Sequence, residues 1–547
     1  MIINRKDISF EISWSTLTLL SAIYIATAMN TSLWSSWMAI TDMTLVSLFP
    51  TVTLLLLVVS AIVVLILTLS HPLLIKTVIA ALLIFCGIVH FFSSSYGTII
   101  DSSMMQNVLE TDNREAWELI NTSLFIHVFV YAVLPCFLLL MLKLKPINTR
   151  RWIQQASLLL LLILSINALL IYSNYGYLSL AFRQNRDLRM LINPTYPLYS
   201  LVKAANTIDK NDEKLLLPIG ANATSSHTTH KQRDMLVVLV VGETARADHF
   251  SLAGYKRDTN SELAKRDDII FFDNAWACGT STAESLPCMF SNLTHDDFTK
   301  YRASERENLL DLLNKIGVSV AWIDNNSGSK GVSERTTYLS TKPSASYIED
   351  GLCNEEDCLD EVLNLELEHQ IEQLRGDAFI VLHQLGQHGP SYYKRYPDEY
   401  KTYRPECTRD DVYNCDTQSI INSYDNSLSY TDHTLVQLIE KLDKAQDDRD
   451  VIVMYMSDHG ESLGENGVYL HGIPWRFAPD AQKHIPFLMW LSKNASATLN
   501  VNTSCLHNNH GKAYSHDNLF HTIAGIFTTK RFAEYKGDLD ILETCRA

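Results

Sequence analysis

The apolar residues of this chain follow two different patterns, one in each half. Up to residue 175 they form five long runs, each close to the length of about 20 residues that a helix needs to cross a bilayer. Short polar joints separate the runs, so the first half is predicted to be a helical membrane domain over residues 1–175. The predicted spans are Ile12–Leu33, Phe49–Leu69, Leu73–Phe92, Leu124–Leu142 and Ile153–Tyr172.

From residue 233 to residue 547, short apolar runs alternate with stretches that have helical periodicity. This alternation is typical of an α/β domain with a mainly parallel sheet. The predicted strands are Met235–Val241, Ile269–Phe272, Val318–Ile323, Ala378–Leu382, Val451–Met456 and Ile485–Leu491. The predicted helices are Leu309–Ile316, Leu359–Leu374 and Gln418–Leu442.

Residues 176–232 form a predicted connector between the two domains. Tyr177–Ala205 mixes apolar and basic residues, which favours an amphipathic helix in the membrane interface, although an ordinary linker helix fits equally well. Pro194 and Pro197 are expected to break that helix, and Gly220–His230 is rich in small polar residues, as in an exposed loop.

The charge of the chain restricts its function and its orientation. Lys and Arg number 45 against 61 Asp and Glu, a net charge of −16, and such a chain lacks the basic footprint of a nucleic-acid-binding protein. Basic residues flank alternate span ends, which places the N-terminus in the cytoplasm and the second half outside. These residues are Arg5, Lys6, Lys76, Lys143, Lys145, Arg150 and Arg151.

Eight of the ten cysteines lie in the second half, where an exported domain would meet an oxidising environment. Their even number and spacing favour disulfides over zinc knuckles, which remain the alternative. Proximity in sequence gives three pairs, and elimination gives the fourth. The predicted pairs are Cys278–Cys288, Cys353–Cys358, Cys407–Cys415 and Cys505–Cys545.

The residues that follow the predicted strands are rich in metal ligands. Because the carboxyl ends of parallel strands meet at one edge of a sheet, these side chains are expected to lie close together. Carboxylate oxygen and imidazole nitrogen suit zinc, although each residue alone is more often a cap or a loop residue. The candidates are Glu243, His383, His388, Asp458, His459 and His471.

A possible nucleophile lies in the loop between Cys278 and Cys288. A hydroxyl becomes an effective nucleophile next to a divalent cation, and the flanking cysteines would make the loop rigid. Composition alone does not choose among its hydroxyl residues, which are Thr280, Ser281, Thr282 and Ser285.

Four long motifs resemble those of a known family. They lie in the second half of the chain, which follows the predicted membrane domain of five spans. They are VVGETARADHFSLAGY, ACGTSTAESLPCMFS, LHQLGQHGPSYYKRYP and SDHGESLGENGVYLHG. The chain is similar in these motifs to the phosphoethanolamine transferases of Gram-negative inner membranes, which include lipid A modifying enzymes and mobile polymyxin-resistance relatives. The resemblance implies an α-helical five-span transmembrane domain and a soluble α/β domain of the alkaline phosphatase/sulfatase superfamily.

Carried over by motif, the resemblance implies roles for six residues. Thr282 would be the nucleophile, and it would join Glu243, Asp458 and His459 around one tightly bound zinc. His388 and His471 would bind a second zinc or the phosphate of the substrate. No sulfatase signature surrounds Thr282, which disfavours the hydrolysis of sulfate esters.

Spacing also suggests contacts with the donor headgroup. Asn107, Thr111 and Glu115 stand at i, i+4 and i+8, so they would share one face of a helix, either a solvated face or one that binds an ethanolamine ammonium. Ser327 and Lys330 could engage phosphate, and the family has corresponding positions for these five residues. His383 is a further candidate for substrate binding.

The resemblance therefore predicts a zinc-dependent enzyme of the inner membrane with its catalytic domain in the periplasm. It would transfer phosphoethanolamine from phosphatidylethanolamine to a phosphate of lipid A through a covalent threonine intermediate, which would give resistance to polymyxins. We expect a monomer with no nucleic-acid partner. The alternatives are a zinc phosphodiesterase of the same superfamily, a transferase with another envelope glycan as acceptor, and a membrane receptor with a metal-stabilised ectodomain.

Overall fold

The structure is a computed structural model that describes residues 11–41, 45–110, 113–208, 216–226, 233–341, 343–373, 375–444, 449–529 and 532–546. The chain divides into two compact units. The first consists of Met1–Val108 and Ile120–Ile208, and the second consists of Leu109–Leu119 and Asp209–Ala547. A short segment between two predicted spans is therefore grouped with the C-terminal half.

The chain before residue 209 is helical in its described part. Its helices are α1 (Trp14–Ala28), α2 (Thr31–Ile40), α3 (Leu45–Leu69), α4 (Ile75–Ser95), α5 (Ser102–Glu110), α6 (Asn113–Leu119), α7 (Thr122–Val128), α8 (Leu134–Met141), α9 (Thr149–Gln184) and α10 (Thr195–Ile208). Two short strands, β1 (Glu11–Ile12) and β2 (Lys143–Leu144), pair in parallel.

Four helical segments among the described residues are long and apolar enough to cross a membrane, and they are Ser47–Leu69, Ile75–Ser95, Thr122–Met141 and Thr149–Gln184. The third consists of α7, a π-helical segment Phe129–Val133, and α8. A fifth span is present if α1 and α2, which meet at a bend of 57°, count as one.

The bend lies within the first predicted span, where we expected one continuous helix. Asn30 lies at the break, and its side-chain amide donates to the carbonyl of Ile25 at 2.8 Å and to that of Asn193 at 2.9 Å. Ile25 O also accepts from Met29 N at 3.2 Å, so it keeps its partner within the helix and the Asn30 amide is a second donor to it. The bond to Asn193 O links the break to the backbone just before α10.

The connector also differs from its prediction as one amphipathic helix. Helix α9 continues to Gln184, a 3-10 turn spans Arg186–Leu191, and α10 begins at Thr195. Pro197 does not break a helix, because it lies in the first turn of α10, where a backbone N–H has no partner within the helix.

The second unit is built around a sheet of eight strands in the order β12-β4-β11-β8-β3-β7-β5-β6. A separate pair, β9 and β10, is antiparallel. The strands are β3 (Asp234–Gly242), β4 (Ile269–Trp276), β5 (Ser319–Asp324), β6 (Thr337–Ser340), β7 (Ala378–His383), β8 (Arg449–Ser457), β9 (Ser462–Leu463), β10 (Tyr469–Leu470), β11 (His484–Leu491) and β12 (Tyr514–Ser515).

All six predicted strands lie in this sheet, which is parallel except for β11, antiparallel to β4 and β8. Strand β3 lies between β8 and β7 and is parallel to both. Side chains on both faces of β3 are buried, as in a sheet covered by helices on each side. The predicted α/β domain with a mainly parallel sheet is thus confirmed.

The helices of the second unit, after α6, connect and cover the strands. They are α11 (Thr282–Met289), α12 (Lys300–Ser304), α13 (Leu309–Lys315), α14 (Ala345–Glu349), α15 (Glu361–Gln373), α16 (Thr417–Lys444), α17 (Lys493–Thr498), α18 (Thr503–Asn508) and α19 (Asp517–Phe527). The three predicted helices correspond to α13, α15 and α16, whereas α11 and α19 were not predicted.

Four disulfides join the cysteines in the predicted pairs. They are Cys278–Cys288, Cys353–Cys358, Cys407–Cys415 and Cys505–Cys545. The first closes the loop that leads into α11 and so constrains the predicted nucleophile. Cys86 and Cys136, in the helices of the first unit, are free.

Candidate active site and metal centre

The candidate site lies at the carboxyl edge of the sheet, where the three neighbouring parallel strands β8, β3 and β7 end. Glu243 follows β3 directly, Asp458 and His459 follow β8, and His383 is the last residue of β7. Hydrogen bonds from Asp458 N to Gly242 O and from Gln387 N to Glu243 O hold these turns together. Ligands of open α/β sheets bind at such an edge, which agrees with the prediction from sequence.

Glu243, Asp458 and His459 form a triad whose ligating atoms all lie within 4.8 Å of one another. All three side chains are fully buried. His459 Nε2 is 3.4 Å from Glu243 Oε1 and 3.4 Å from Asp458 Oδ2. Among the described residues this is the group of His, Cys, Asp and Glu that could hold a metal ion.

The hydrogen bonds of the triad show that it fits a cation. His459 Nδ1 is 2.9 Å from Gly460 O, so it carries the proton and leaves a lone pair on Nε2. Asp458 Oδ1 accepts from backbone N–H groups, whereas Asp458 Oδ2 is buried and makes no hydrogen bond within the described part of the chain. Burial lowers the pKa of His459 to about 4, and a neutral imidazole is the form that binds metal. Two carboxylates and one imidazole suit zinc.

Thr282 is the hydroxyl residue that lies beside this triad. Its Oγ1 is 3.1 Å from Glu243 Oε2 and 3.5 Å from His459 Nε2. It is the first residue of α11, where the helix dipole favours negative charge on the oxygen.

The other hydroxyls of the loop have different surroundings. Thr280 Oγ1 donates to Ile473 O at 2.7 Å, and Gly472 N donates to Thr280 O at 2.8 Å. Thr280 therefore fastens the loop to the segment after His471. Ser285 is fully buried one turn into α11. These positions favour Thr282 as the reacting hydroxyl.

His388 and His471 form a second cluster next to the triad. The ring of His471 is 4.3 Å from that of His459 and 5.9 Å from that of His388. His471 Nδ1 lies 3.1 Å from Glu461 Oε2, and Glu461 is fully buried. Glu461 was not assigned from sequence, and its signal was its place directly after Asp458-His459-Gly460.

Asn326 is a further residue of the site that sequence reasoning did not select. Its side-chain amide donates to Glu243 Oε2 at 2.7 Å and to Gln384 O at 2.8 Å. His383 is buried behind it, with Nδ1 2.7 Å from Asp324 Oδ1. The structure therefore places His383 as a support for Asn326 rather than on an open surface.

We expect Asn326→Ala to weaken zinc binding by about 10–100-fold, because loss of a partner that orients a metal ligand has an effect of this size. The adjacent Asn325→Ala is the matched control, since the Asn325 amide donates to Cys358 O and Asp360 Oδ1 instead. Zinc competition against a chelator measures the difference. Equal zinc affinity in the two variants would contradict the role of Asn326.

The predicted headgroup residues are only partly described. Lys330 Nζ donates to Ser327 O at 3.0 Å, so these two residues adjoin each other in the loop after β5. Asn107 is on α5 and Glu115 is on α6, whereas Thr111 lies outside the described residues. The shared helical face therefore stays a prediction.

Backbone conformations near these residues are unusual. Thr244, Lys330 and Leu470 have φ of +54°, +50° and +62°, which side chains with a Cβ rarely adopt. Each is a candidate site residue or lies next to one. Strained backbone of this kind clusters at functional sites.

Arg395 is a buried cation that holds His388 in place. Its Nε donates to His388 O at 2.9 Å, and its Nη2 lies 2.7 Å from a carboxylate oxygen of Glu118 on α6. Its Nη1 lies 3.2 Å from Asp357 Oδ2. The guanidinium therefore joins three segments of the second unit beside the site.

We expect Arg395→Met to destabilise the protein by about 3–5 kcal/mol, because it leaves two buried carboxylates without this cation. Arg335→Met is the control: its guanidinium also pairs with a carboxylate, that of Asp311, but it is 38% exposed and should contribute below about 1 kcal/mol. Melting temperatures of the purified full-length variants test this. Equal melting temperatures would show that the Arg395 cluster does not stabilise the fold.

Comparisons with known proteins agree with both halves of the chain. A family model described as phosphoethanolamine transferase EptA/EptB matches residues 57–208, and a sulfatase model matches residues 235–529. The chain is 37% identical to phosphoethanolamine transferase EptA of Salmonella typhimurium over 494 residues, which cover 88% of each chain. It is 38% identical to phosphatidylethanolamine transferase Mcr-1 of Escherichia coli over 441 residues, covering 78% of this chain and 80% of that one.

A solved structure is similar over nearly the whole length. It is the integral membrane protein lipooligosaccharide phosphoethanolamine transferase A from Neisseria meningitidis, with a TM-score of 0.91 and 29% sequence identity. The similarity covers 98% of this chain and 99% of that chain. The order of a helical membrane domain followed by a sulfatase-like domain is therefore common to both proteins.

Proposed function

The chain belongs to the phosphoethanolamine transferase family, and on that premise we propose that it transfers phosphoethanolamine from phosphatidylethanolamine to a phosphate of lipid A. The observation that carries this proposal is the place of one hydroxyl. Thr282 Oγ1 lies 3.1 Å from Glu243 Oε2 in a buried triad that fits a divalent cation. A covalent group transfer needs such an activated nucleophile.

We assign the zinc ligands to Glu243, Asp458, His459 and the hydroxyl oxygen of Thr282. When bound there, zinc supplies Lewis-acid chemistry, because it makes a bound hydroxyl more acidic and stabilises charge on phosphoryl oxygens. Asn326 orients the Glu243 carboxylate, and Gly460 O keeps the His459 proton on Nδ1.

The transfer proceeds in two steps. In the first, Thr282 Oγ attacks the phosphorus of the donor, the bond from phosphorus to the glycerol oxygen breaks, and diacylglycerol leaves with the hydroxyl proton. In the second, a phosphate oxygen of lipid A attacks the same phosphorus, the bond from phosphorus to Thr282 Oγ1 breaks, and the threonine oxygen takes up the proton of the attacking phosphate group. His388 and His471 are assigned to the phosphate of the substrate or to a second zinc.

The donor headgroup carries a cationic ammonium and an anionic phosphate. We assign Ser327 and Lys330 to the phosphate, and Asn107, Thr111 and Glu115 to the ethanolamine end. A carboxylate would pair with the ammonium, whereas the Lys330 ammonium would pair with the phosphate. The role of His383 is then to support the site through Asn326.

Both substrates are lipids, so a membrane anchor concentrates enzyme and substrate on one surface. The basic residues at alternate span ends and the four disulfides support an inner-membrane protein whose catalytic domain faces the periplasm. Attachment of a cationic group lowers the negative charge of the envelope, which would weaken binding of polymyxins and other cationic peptides.

Mass spectrometry of lipid A tests the proposal directly. A Gram-negative host that expresses the gene should gain the mass of phosphoethanolamine on lipid A, and a host with the Thr282→Ala gene should not. Release of free phosphoethanolamine without lipid A modification would instead support a phosphodiesterase. Modification of another glycan would leave the transferase in place and replace its acceptor.

A further inference from the structure

His516 is a buried histidine that lies between the two backbone segments of the candidate site. Only 1% of the His516 surface is exposed to solvent. Cys278 N donates to His516 Nδ1 at 3.2 Å, and His516 Nε2 lies 2.9 Å from Ser457 O. Because Nδ1 accepts, the proton is on Nε2, which donates to the Ser457 carbonyl.

These two backbone groups belong to the elements that carry the chemistry. Cys278 comes four residues before Thr282, and Ser457 is the last residue of β8, directly before Asp458. A single imidazole ring therefore spans the gap between the loop of the proposed nucleophile and the strand end of the metal ligands.

The ring itself is held on a rigid support. His516 N donates to Trp276 O at 3.1 Å, at the end of β4. His516 follows β12 and immediately precedes α19, in which the side chains from Asn518 to Phe527 are buried. Burial also lowers the pKa of His516 to about 4, so the ring keeps its acceptor nitrogen at neutral pH.

We infer that His516 is a positioning residue of the transfer reaction, because it sets the distance between the Thr282 loop and the Asp458–His459 segment. Histidine suits this place because a neutral imidazole accepts at one end and donates at the other. The inference rests on the proposed function, in which Thr282 and the triad act together. Small displacements of reacting groups lower rates by about 10²-fold.

His521, five residues further on within α19, provides a matched control. It is also 1% exposed, its Nδ1 accepts from the backbone N–H of Lys536 at 3.2 Å, and burial lowers its pKa to about 4 as well. It therefore shares the burial and the hydrogen-bond type of His516, but its described contacts lie away from the site.

The test uses two variants at each histidine in the purified full-length enzyme. His516→Asn can keep an acceptor for Cys278 N, and His516→Gln can keep a donor for Ser457 O, so each retains one bond of the bridge. His521→Asn and His521→Gln make the same changes in the control. The rate constant and half-saturation concentration for adduct formation are measured with headgroup-labelled phosphatidylethanolamine, together with melting temperature and zinc content.

Both His516 variants should lower the maximal rate of adduct formation by about 10–100-fold with little change in half-saturation. Both His521 variants should stay within about threefold of the unmodified enzyme, although the two pairs lose similar amounts of thermal stability. Such a split separates positioning from a general loss of structure.

Equal rates in the two pairs would overturn the inference, provided that the unmodified enzyme forms the adduct on Thr282. Failure of both His516 variants to accumulate as folded protein, while the His521 variants do, would also overturn it and assign His516 to folding. If the unmodified enzyme forms no adduct, the proposed function fails first and this inference fails with it.

Discussion

Thr282→Ala should reduce phosphoethanolamine transfer on the order of 10⁴-fold or more, because it removes the atom that carries the transferred group. The substitution leaves the sheet and the four disulfides unchanged, so the variant should fold. Purified enzyme, incubated with phosphatidylethanolamine without acceptor and then digested, should carry the added mass on the peptide with Thr282. The alanine variant should carry none.

Two other substitutions in the same loop act as controls. Thr280→Ala removes the hydrogen bond to Ile473 O, so it should loosen the loop and slow the reaction less than Thr282→Ala does. Thr282→Ser keeps the hydroxyl and should retain part of the activity, lowered by the greater rotamer freedom of serine. A stable adduct on Ser281 or Ser285, or full transfer by Thr282→Ala, would remove Thr282 from the mechanism.

The strands that carry the site could be predicted because each is an uninterrupted run of apolar residues. Met235–Val241 differs from β3 by one residue at each end, and Ala378–Leu382 differs from β7 by one residue. A buried parallel sheet requires apolar side chains on both faces, so its strands stand out in the sequence. The polar residues directly after these strands then identified the edge where Glu243 and Asp458 meet.

Elements that depend on distant partners could not be predicted in the same way. Helix α11 has eight residues and contains Pro287, so it shows no helical period from which to identify it. Strand β12 has two residues at the edge of the sheet. Asn30, at the bend between α1 and α2, donates to a carbonyl of Asn193, 163 residues away, and no local pattern reveals that contact.

The same reason explains which site residues were missed. Asn326 acts through Glu243, which is 83 residues away. His516 bridges Cys278 and Ser457, which are 238 and 59 residues away from it. An asparagine or histidine in a loop has no distinctive local pattern. Only the fold shows which buried groups its polar atoms reach.

The second large effect concerns zinc. Glu243→Ala, Asp458→Ala and His459→Ala should each lose tightly bound zinc and activity together, because each removes a ligating atom from a group spanning 4.8 Å. A structural analogue of each side chain, such as Glu243→Gln, should also bind zinc less well, since a neutral amide is a weaker ligand than a carboxylate. Zinc content of the purified variants, measured after dialysis against a weak chelator, gives the result.

His388→Ala and His471→Ala should behave differently, and the contrast is the sharper part of this prediction. Their rings lie beside the triad but outside it. The ring centre of His471 is 4.3 Å from that of His459, and its Nδ1 is hydrogen-bonded to the Glu461 carboxylate. Both variants should therefore retain the tightly bound zinc while activity falls. Equal loss of zinc in all five alanine variants would mean that the histidines complete a single metal site, and the division between a metal triad and a phosphate-binding pair would then be wrong.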